Sequence, residues 1–557
     1  MPSITINGQK LEFTPGQVIL QVANSAQVAV PQYCYHDGLS IVASCRICLA
    51  EVWMPNKATG KLEPFMGGKL LPTCQTACAD GMVVYTDSPK AVANQKAVME
   101  YLLINHPLDC PVCDQAGECF LQDYSYEYGR GVSRFEETKV KQPKKDLGPH
   151  VYLYADRCIM CTRCVRFTRE VSGTAELCVA GRGNREEIDV FPGHALDNEL
   201  SANVVDLCPV GALLDKDFLF AQRVWFLKST PGIDPITASG DNTVVEHNDG
   251  KIYRVKPRTN MAVNKWWITD EVRYGWKFVH REDRLTTTLR RQFGTQVPTD
   301  RARADAEAVS GARAATAGDK RLALVVSPML TCEDAYALAK AALAIDPAAF
   351  LAVGPIPTHG HDKTLPEGHP NGFKVYAEKA PNARGVSRVL EALSRTTRHN
   401  GYVATFDQLT AQLRRAEIGA AIVTGNYPSD WATTDFIDAL RTLFVVVIDT
   451  LPGPLADRAD VLLPSATFAE KAGTFENARN MLQAFEAAIP VHEGARTEAQ
   501  IGLDLLSAAT STAPTLANAA DLRVEMARVP GLEVFATGVS MPSIPVAQVP
   551  EMAVVEL

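Results

Sequence analysis

Thirteen of the chain's 14 cysteines fall before residue 209, and only Cys332 lies beyond it. Several stand in tight C-x2-C pairs, as Cys45 with Cys48 and Cys110 with Cys113. A disulfide framework of that density belongs to small secreted domains. Here the chain runs to 557 residues. Its opening, MPSITINGQKLEF, has no basic segment leading into an apolar stretch, so no secretory signal is expected. Thiolate ligation of metal is the reading these cysteines impose on the N-terminal region.

At this length three or more domains are expected. The composition, 46% hydrophobic and 21% charged, is that of ordinary globular proteins. A net charge of −9 argues against a nucleic-acid binder, which usually carries a basic patch. No apolar run approaches the roughly 18 residues needed to cross a bilayer, so membrane association is expected only through a partner.

The opening SITINGQKLEF reads as a hairpin around Asn7-Gly8, followed by a helix over about 18–28. Strand, turn, strand, helix and Cys-rich loop is the order of the plant-type ferredoxin β-grasp. PKAVANQKAVMEYLLIN reads as a helix delivering His106, and EETKVKQPKKDLG reads as a linker. NTVVEHNDGKIYRVKP suggests a second hairpin. Residues 297–320, small and polar, are expected to form a flexible excursion. Beyond Arg321 the pattern becomes α/β: RLALVVSP, GAAIVTGN and TLFVVVIDT are buried strands, and TCEDAYALAKAALA is a helix. The last forty residues show little periodicity and receive no assignment.

Three groups of candidate ligands emerge. Cys34, Cys45 and Cys48 spell C-x10-C-x2-C, with Cys74 further on and Cys78 as a competitor. Four thiolates satisfy a [2Fe–2S] centre, and also zinc, which the β-grasp order disfavours. His106, Cys110, Cys113 and Cys119 spell H-x3-C-x2-C-x5-C. A [4Fe–4S] cube needs four ligands and the segment offers three cysteines, so an imidazole nitrogen is the candidate fourth. Cys158, Cys161 and Cys164 spell C-x2-C-x2-C, and Cys208-Pro209 supplies a remote C-P that closes a second cube. Arg157, Arg163, Arg166 and Arg169 flank this group as charge compensation, a partner surface or plain solvated charges. Cys178 has no partner spacing.

The strings YCYHDGLSIVASCRICLAEV and NHPLDCPVCDQAGEC resemble the iron–sulfur G subunit of respiratory NADH:quinone oxidoreductase (complex I), whose mitochondrial homologue is the largest iron–sulfur subunit. The resemblance implies Cys74 as the fourth [2Fe–2S] ligand and His106 as the fourth ligand of the first cube. Many bacterial relatives add a C-x2-C-x3-C-x27-C motif. The aligned positions here are Asp234, Thr237, Asp241 and Thr269, so three clusters are expected rather than four. TLFVVVIDTLPGPLADRADVLLPSATFAEKAGTFEN resembles the molybdopterin-oxidoreductase fold. With Cys332 the only thiol there, a degenerate α/β scaffold without molybdenum cofactor is expected.

The expected fold is α+β and then α/β. It comprises a [2Fe–2S] β-grasp ferredoxin domain (1–87), a one-His three-Cys [4Fe–4S] domain (88–135), a ferredoxin-like [4Fe–4S] domain (148–216) and a molybdopterin-oxidoreductase-like domain (217–557). The implied function is electron transfer from a flavin-bearing NADH module toward a quinone-reducing module, with no active site in this chain. The implied partners are a flavin/NADH-binding subunit and other peripheral-arm subunits, at the cytoplasmic face of the inner membrane. No G-x-G-x-x-G follows a strand, so no nicotinamide or flavin site is expected here. An NAD-linked formate dehydrogenase or hydrogenase subunit is the alternative. The first is disfavoured by the missing fourth motif and active thiol, the second by the lack of further cysteines.

Overall fold

A computed structural model of the chain describes residues 1–395, 400–415 and 417–542. It divides into two compact units, Met1–Leu227 with Thr364–Phe373, and Lys228–Lys363 with Lys374–Leu557.

The first unit opens with the expected hairpin. Ser3–Ile6 pairs antiparallel with Gln9–Glu12, and Asn7 and Gly8 both take positive φ (48° and 86°), as a tight primed turn requires. Val83–Tyr85 runs parallel to Ser3–Ile6, and Leu49–Pro55 runs antiparallel to Val83–Tyr85. Alternation decides the faces: Ile4 and Ile6 are buried while Ser3 and Thr5 are half-buried. The helix is shorter than expected, Ile19–Ser25, and packs Ile19, Leu20, Val22 and Ala23 into the same core. It ends where Gln27 turns left-handed at φ 57°.

Helix Pro89–Leu103 starts on Ser88, whose hydroxyl caps Ala91 N, with proline at the first turn. Its buried positions are Ala91, Gln95, Val98 and Met99. Two anchors hold it and the following helix, Phe120–Tyr128, to the β-grasp. Tyr33 Oη donates to Met99 Sδ at 3.2 Å, and the Tyr33 and Tyr124 rings meet at 5.2 Å. The expected linker is partly ordered against neighbours. Lys139 Nζ donates to Leu103 O and Ile104 O, and Lys144–Asp146 joins a sheet with Val151–Tyr154 and Leu213–Asp215.

In the second unit a meander of Lys228–Ile233, Asn242–Asn248 and Lys251–Pro257 contains the second expected hairpin, with Asp249 and Gly250 at positive φ. The main sheet has seven strands in the order Thr295–Pro298, Leu289–Gln292, Val461–Pro464, Phe444–Asp449, Ile418–Thr424, Arg321–Val326, Phe350–Val353. The last five are mutually parallel. Helices Arg301–Ala315, Cys332–Ile345 and Glu498–Thr510 share one core with one face of this sheet. Ile418–Thr424 is buried at every position, as in a parallel strand covered on both faces.

The excursion expected over 297–320 is instead largely helical. Arg301–Ala315 begins at Asp300, whose carboxylate accepts from Arg303 N at 2.9 Å, and buries Ala304, Ala308, Val309 and Ala312. Alanines four residues apart make a narrow apolar stripe that composition alone hides, and Ala is the strongest helix former. Of the final forty residues, Ala519–Met526 is helical and Val539–Ser540 extends a small sheet, while 543–557 lie outside the described residues.

Candidate metal centres

All three candidate groups lie in the first unit. Around the first, Ala43 (φ 51°) and Arg46 (φ 58°) bend the loop left-handed on either side of Cys45. Such reversals turn successive N–H groups toward one centre, a geometry that favours anions. Cys34, Cys48 and Cys74 are buried, and Cys45 is half-buried. The thiols approach in pairs. Contact with the Cys45 thiol, aided by backbone N–H groups of Cys45 and Ser44, lowers Cys34 to about 5. Contact with Cys74 lowers Cys48 to about 6. Cys45 and Cys74 move the other way, each held up first by its paired thiol and then by burial. Cys34 and Cys45 also act on Cys74, so all four are electrostatic neighbours. Cys78 stands outside this set. Burial alone raises it, to about 11.

In the second group the three thiols share a short 3-10 turn, Cys110–Val112, and the entrance of helix Phe120–Tyr128. Cys113 N donates to Cys110 O at 3.4 Å, and Cys110 and Cys113 both act electrostatically on Cys119. Burial pushes the Cys119 thiol up to about 11 against N–H groups of Leu121 and Gln122. His106 stands four residues before Cys110, between Arg157, Lys139 and Asp109. Burial first, then Arg157 and Lys139, lowers its pKa to about 4, so at neutral pH the imidazole is uncharged and keeps a lone pair for a metal.

The third group is the most enclosed. Cys158, Cys161, Cys164 and Cys208 line one pocket, closed by Leu153, Ile188, Val210 and Leu213. Met160 (φ 50°) and Thr162 (φ 59°) alternate left-handed with their neighbours and wrap the loop around that pocket. Burial dominates all four thiols, pushing Cys158 up to about 12 and Cys161 up to about 11. Backbone N–H groups oppose it, including those of Val210, Ala212 and Leu213 at Cys208.

These observations fit an anionic cluster. Thiols in an apolar pocket stay protonated unless metal takes the proton's place. The N–H groups aimed at sulfur favour the deprotonated form. Thr162 Oγ1 lines the same pocket, is buried and has no hydrogen-bond partner among the described residues, leaving its O–H available to a cluster sulfide. Among the described residues no three His, Cys, Asp or Glu side chains converge closely enough to hold a single ion.

Three of the four flanking arginines are not solvated charges, whereas Arg169 is exposed and fits that reading. Arg157, Arg163 and Arg166 are 2%, 6% and 5% exposed. Arg157 pairs with Asp109 at 2.8 Å, stacks on Tyr154 at 4.1 Å and donates to Gly211 O at 3.4 Å, joining the second and third groups. Arg163 donates to Leu207 O and Tyr35 O, and Arg166 to Ser40 O, Cys34 O and Cys161 O. Sequence reading singled out these residues but not their acceptors, which lie up to 132 positions away. It also missed Gly211, where a Cβ would stand 2.2 Å from Cys113 Sγ. The GAL following Cys208-Pro209 was its one visible signal.

The four positions aligned with a further cluster are in the second unit and are buried. Asp234 accepts from Ile236 N, Thr237 N, Ser239 Oγ and the Thr237 hydroxyl, and Thr269 caps helix Asp270–Tyr274 through Val272 N. Cys332 is buried against Asn382, and Cys178 is exposed.

Family models match along much of the chain. Residues 2–89 match a 2Fe-2S iron-sulfur cluster binding domain, and 95–134 the NADH-ubiquinone oxidoreductase-G iron-sulfur binding region. Residues 148–214 match the ferredoxin-like domain of NADH-quinone oxidoreductase subunit 3. These three segments are thus similar to iron–sulfur segments of NADH-quinone oxidoreductase subunits. Residues 227–277 match an NDSU1/NuoG-like 4Fe-4S domain, and 363–508 match molybdopterin oxidoreductase. The mitochondrial NADH-ubiquinone oxidoreductase 78 kDa subunit of Candida albicans is 43% identical over 289 residues, 51% of this chain and 38% of the relative. The NADH-quinone oxidoreductase G subunit of Rickettsia bellii is 38% identical over 276 residues, 50% of this chain and 39% of the relative. The mitochondrial NADH dehydrogenase [ubiquinone] iron-sulfur protein 1 of Solanum tuberosum is 42% identical over 279 residues, covering 50% and 36%. The matched region thus spans well under half the length of these relatives. A chain of a solved NAD+-reducing [NiFe]-hydrogenase matches at 27% identity over 40% of this chain and 91% of its own, with a TM-score of 0.35, which carries no structural argument.

Proposed function

We propose that the chain is the iron–sulfur electron-transfer subunit of an NADH:quinone oxidoreductase, relaying electrons from a flavin-bearing NADH module toward a quinone-reducing module. The observation that carries this reading is the gathering of three cysteine groups in one compact unit, each within a segment matched by an iron–sulfur family model. Cys34, Cys45, Cys48 and Cys74 would hold a [2Fe–2S] cluster. His106, Cys110, Cys113 and Cys119 would hold one [4Fe–4S] cluster, and Cys158, Cys161, Cys164 and Cys208 the other. These centres supply one-electron chemistry when bound. The protein's part is to bury the thiols, aim N–H groups and buried arginines at them, and hold the groups at fixed separations.

The proposed domains are 1–87, 88–135 and 148–216 for the three centres and 217–557 for a scaffold without molybdenum cofactor. The oxygen side chains at Asp234, Thr237, Asp241 and Thr269 support a count of three clusters, because the hydrogen bonds of Asp234 and Thr269 serve the local fold. The proposed partners are the flavin/NADH-binding subunit and other peripheral-arm subunits, at the cytoplasmic face of the inner membrane. No helix among the described residues is long and apolar enough to cross a membrane.

The test is metal analysis of the anaerobically purified chain. About ten irons with matching acid-labile sulfide, no molybdenum, and one binuclear and two tetranuclear paramagnetic signals are expected. Stoichiometric zinc in place of iron, or a fourth cluster signal lost in a Thr237→Ala variant, would overturn it.

A further inference from the structure

Arg163 and Arg166 lie on one turn of helix Arg163–Phe167, immediately around the third group's Cys164. Both are almost fully buried, and neither forms an ion pair among the described residues. The carboxylate in the same network, Glu170, is engaged by Ser40 N and Oγ. Two buried cations without counter-ions are costly unless an anion is near.

Their donors go to backbone carbonyls in the loops of the first and third groups. Arg166 Nη2 donates to Cys34 O at 2.5 Å and also to Cys161 O at 3.3 Å, so one nitrogen bridges a ligand of the first group and a ligand of the third. Its Nη1 reaches Ser40 O at 2.5 Å. Arg163 Nη2 reaches Tyr35 O, next to Cys34, and its Nη1 reaches Leu207 O, next to Cys208. The Nε atoms of both are buried without a hydrogen-bond partner, which leaves donors on the side not taken up by carbonyls. Each guanidinium therefore touches the ligand loops of two groups at once.

We propose that Arg166, with Arg163 beside it, is a positioning residue that sets the reduction potentials of the first and third clusters together. The inference rests on the assignment of clusters to these groups. Each cluster gains one negative charge when it takes an electron. A permanent cation held against both ligand loops stabilises that reduced form at both sites, and burial keeps solvent from screening it. An arginine serves because its charge does not titrate and its planar fork can bind two carbonyls simultaneously.

The experiment is a redox titration of the anaerobically reconstituted full chain, following each cluster by low-temperature paramagnetic resonance. In Arg166→Gln the binuclear signal and the third group's tetranuclear signal should both shift to lower potential, each by at least a tenfold change in the one-electron equilibrium, about 59 mV. The second group, whose buried cation is Arg157, should move less than that. Arg166→Lys, which keeps charge but loses the fork, should fall between wild type and Arg166→Gln. If Arg166→Gln fails to retain clusters, Arg163→Gln replaces it, with the same sign expected at both centres. Intact clusters with unmoved potentials, or a shift at one centre alone, would overturn shared tuning. Absence of the signals from the wild-type chain would instead overturn the cluster assignment itself.

Discussion

Gly211→Ala places a methyl group where the structure has no room for one. The added Cβ would stand 2.2 Å from Cys113 Sγ and 3.1 Å from Gln115 Cβ. Comfortable non-bonded separations are about 3.5–4.0 Å, so the sulfur or its loop must retreat by more than about 1 Å. Retreat is resisted on both sides. Cys113 O accepts from Arg223 Nη1, and Gly211 O accepts from Arg157 Nη1. Overpacking of this kind costs about 1–3 kcal/mol. With each 1.4 kcal/mol worth a factor of ten, retention of the second cluster should weaken roughly fivefold to a hundredfold. The assay is the rate of iron loss to a chelator, read together with the tetranuclear signals. Gly211→Ala should lose about four irons early, while the binuclear signal persists. Gly131→Ala, where a Cβ meets nothing within 4 Å, is the control and should match wild type. Equal retention by Gly211→Ala and the control would refute the claim that this close approach holds Cys113 in place.

His106→Ala should convert the second cluster to a trinuclear or unstable form, whereas His106→Cys should keep four irons at a lower potential, checked by paramagnetic resonance; an unchanged His106→Ala signal would assign the fourth ligand elsewhere. Cys74→Ser should weaken or abolish the binuclear signal and Cys78→Ser leave it nearly intact, since Cys74 neighbours the other three thiols and Cys78 does not. In the second unit, burial outweighs the adjacent Arg301 and pushes Asp305 up to about 6. Its folded pKa lies above its unfolded one, so its contribution is complete below about pH 4 and is lost as pH rises through about 6; melting temperatures should fall across that window in wild type, and less in Asp305→Asn.

What the sequence made legible was the grouping of the candidate ligands and local chain reversal. The C-x2-C pairs, Asn7-Gly8 and Asp249-Gly250 are short-range signals, and short-range geometry obeyed them. The helix over Arg301–Ala315 was hidden because alanine buries little area per residue and alternates with arginines and acids over its first half. Burial of Arg163 and Arg166 was unreadable for a different reason. Their acceptors are main-chain carbonyls, which every residue possesses, so no side chain at Cys34, Tyr35 or Ser40 announces the contact. Cys74 stands beside Cys48 because Thr73, through its hydroxyl bond to Cys48 O, ties that loop there; spacing cannot express that.

The tyrosine at position 33 has a consequence for how such proteins can be built from parts. The segment carrying His106, Cys110, Cys113 and Cys119 contributes two helices and a 3-10 turn but no strand of its own. Its helices lean on Tyr33 from one direction, and its cysteine loop is gripped by Arg157 and Arg223 from another. Few apolar side chains within it could make an interior alone. Spliced by itself into a foreign host, the segment would arrive as an unstructured, oxidation-prone stretch of thiols. Transplantation becomes feasible only as a block that includes the flanking domains, which makes the three-group region, rather than any single cysteine motif, the smallest portable piece.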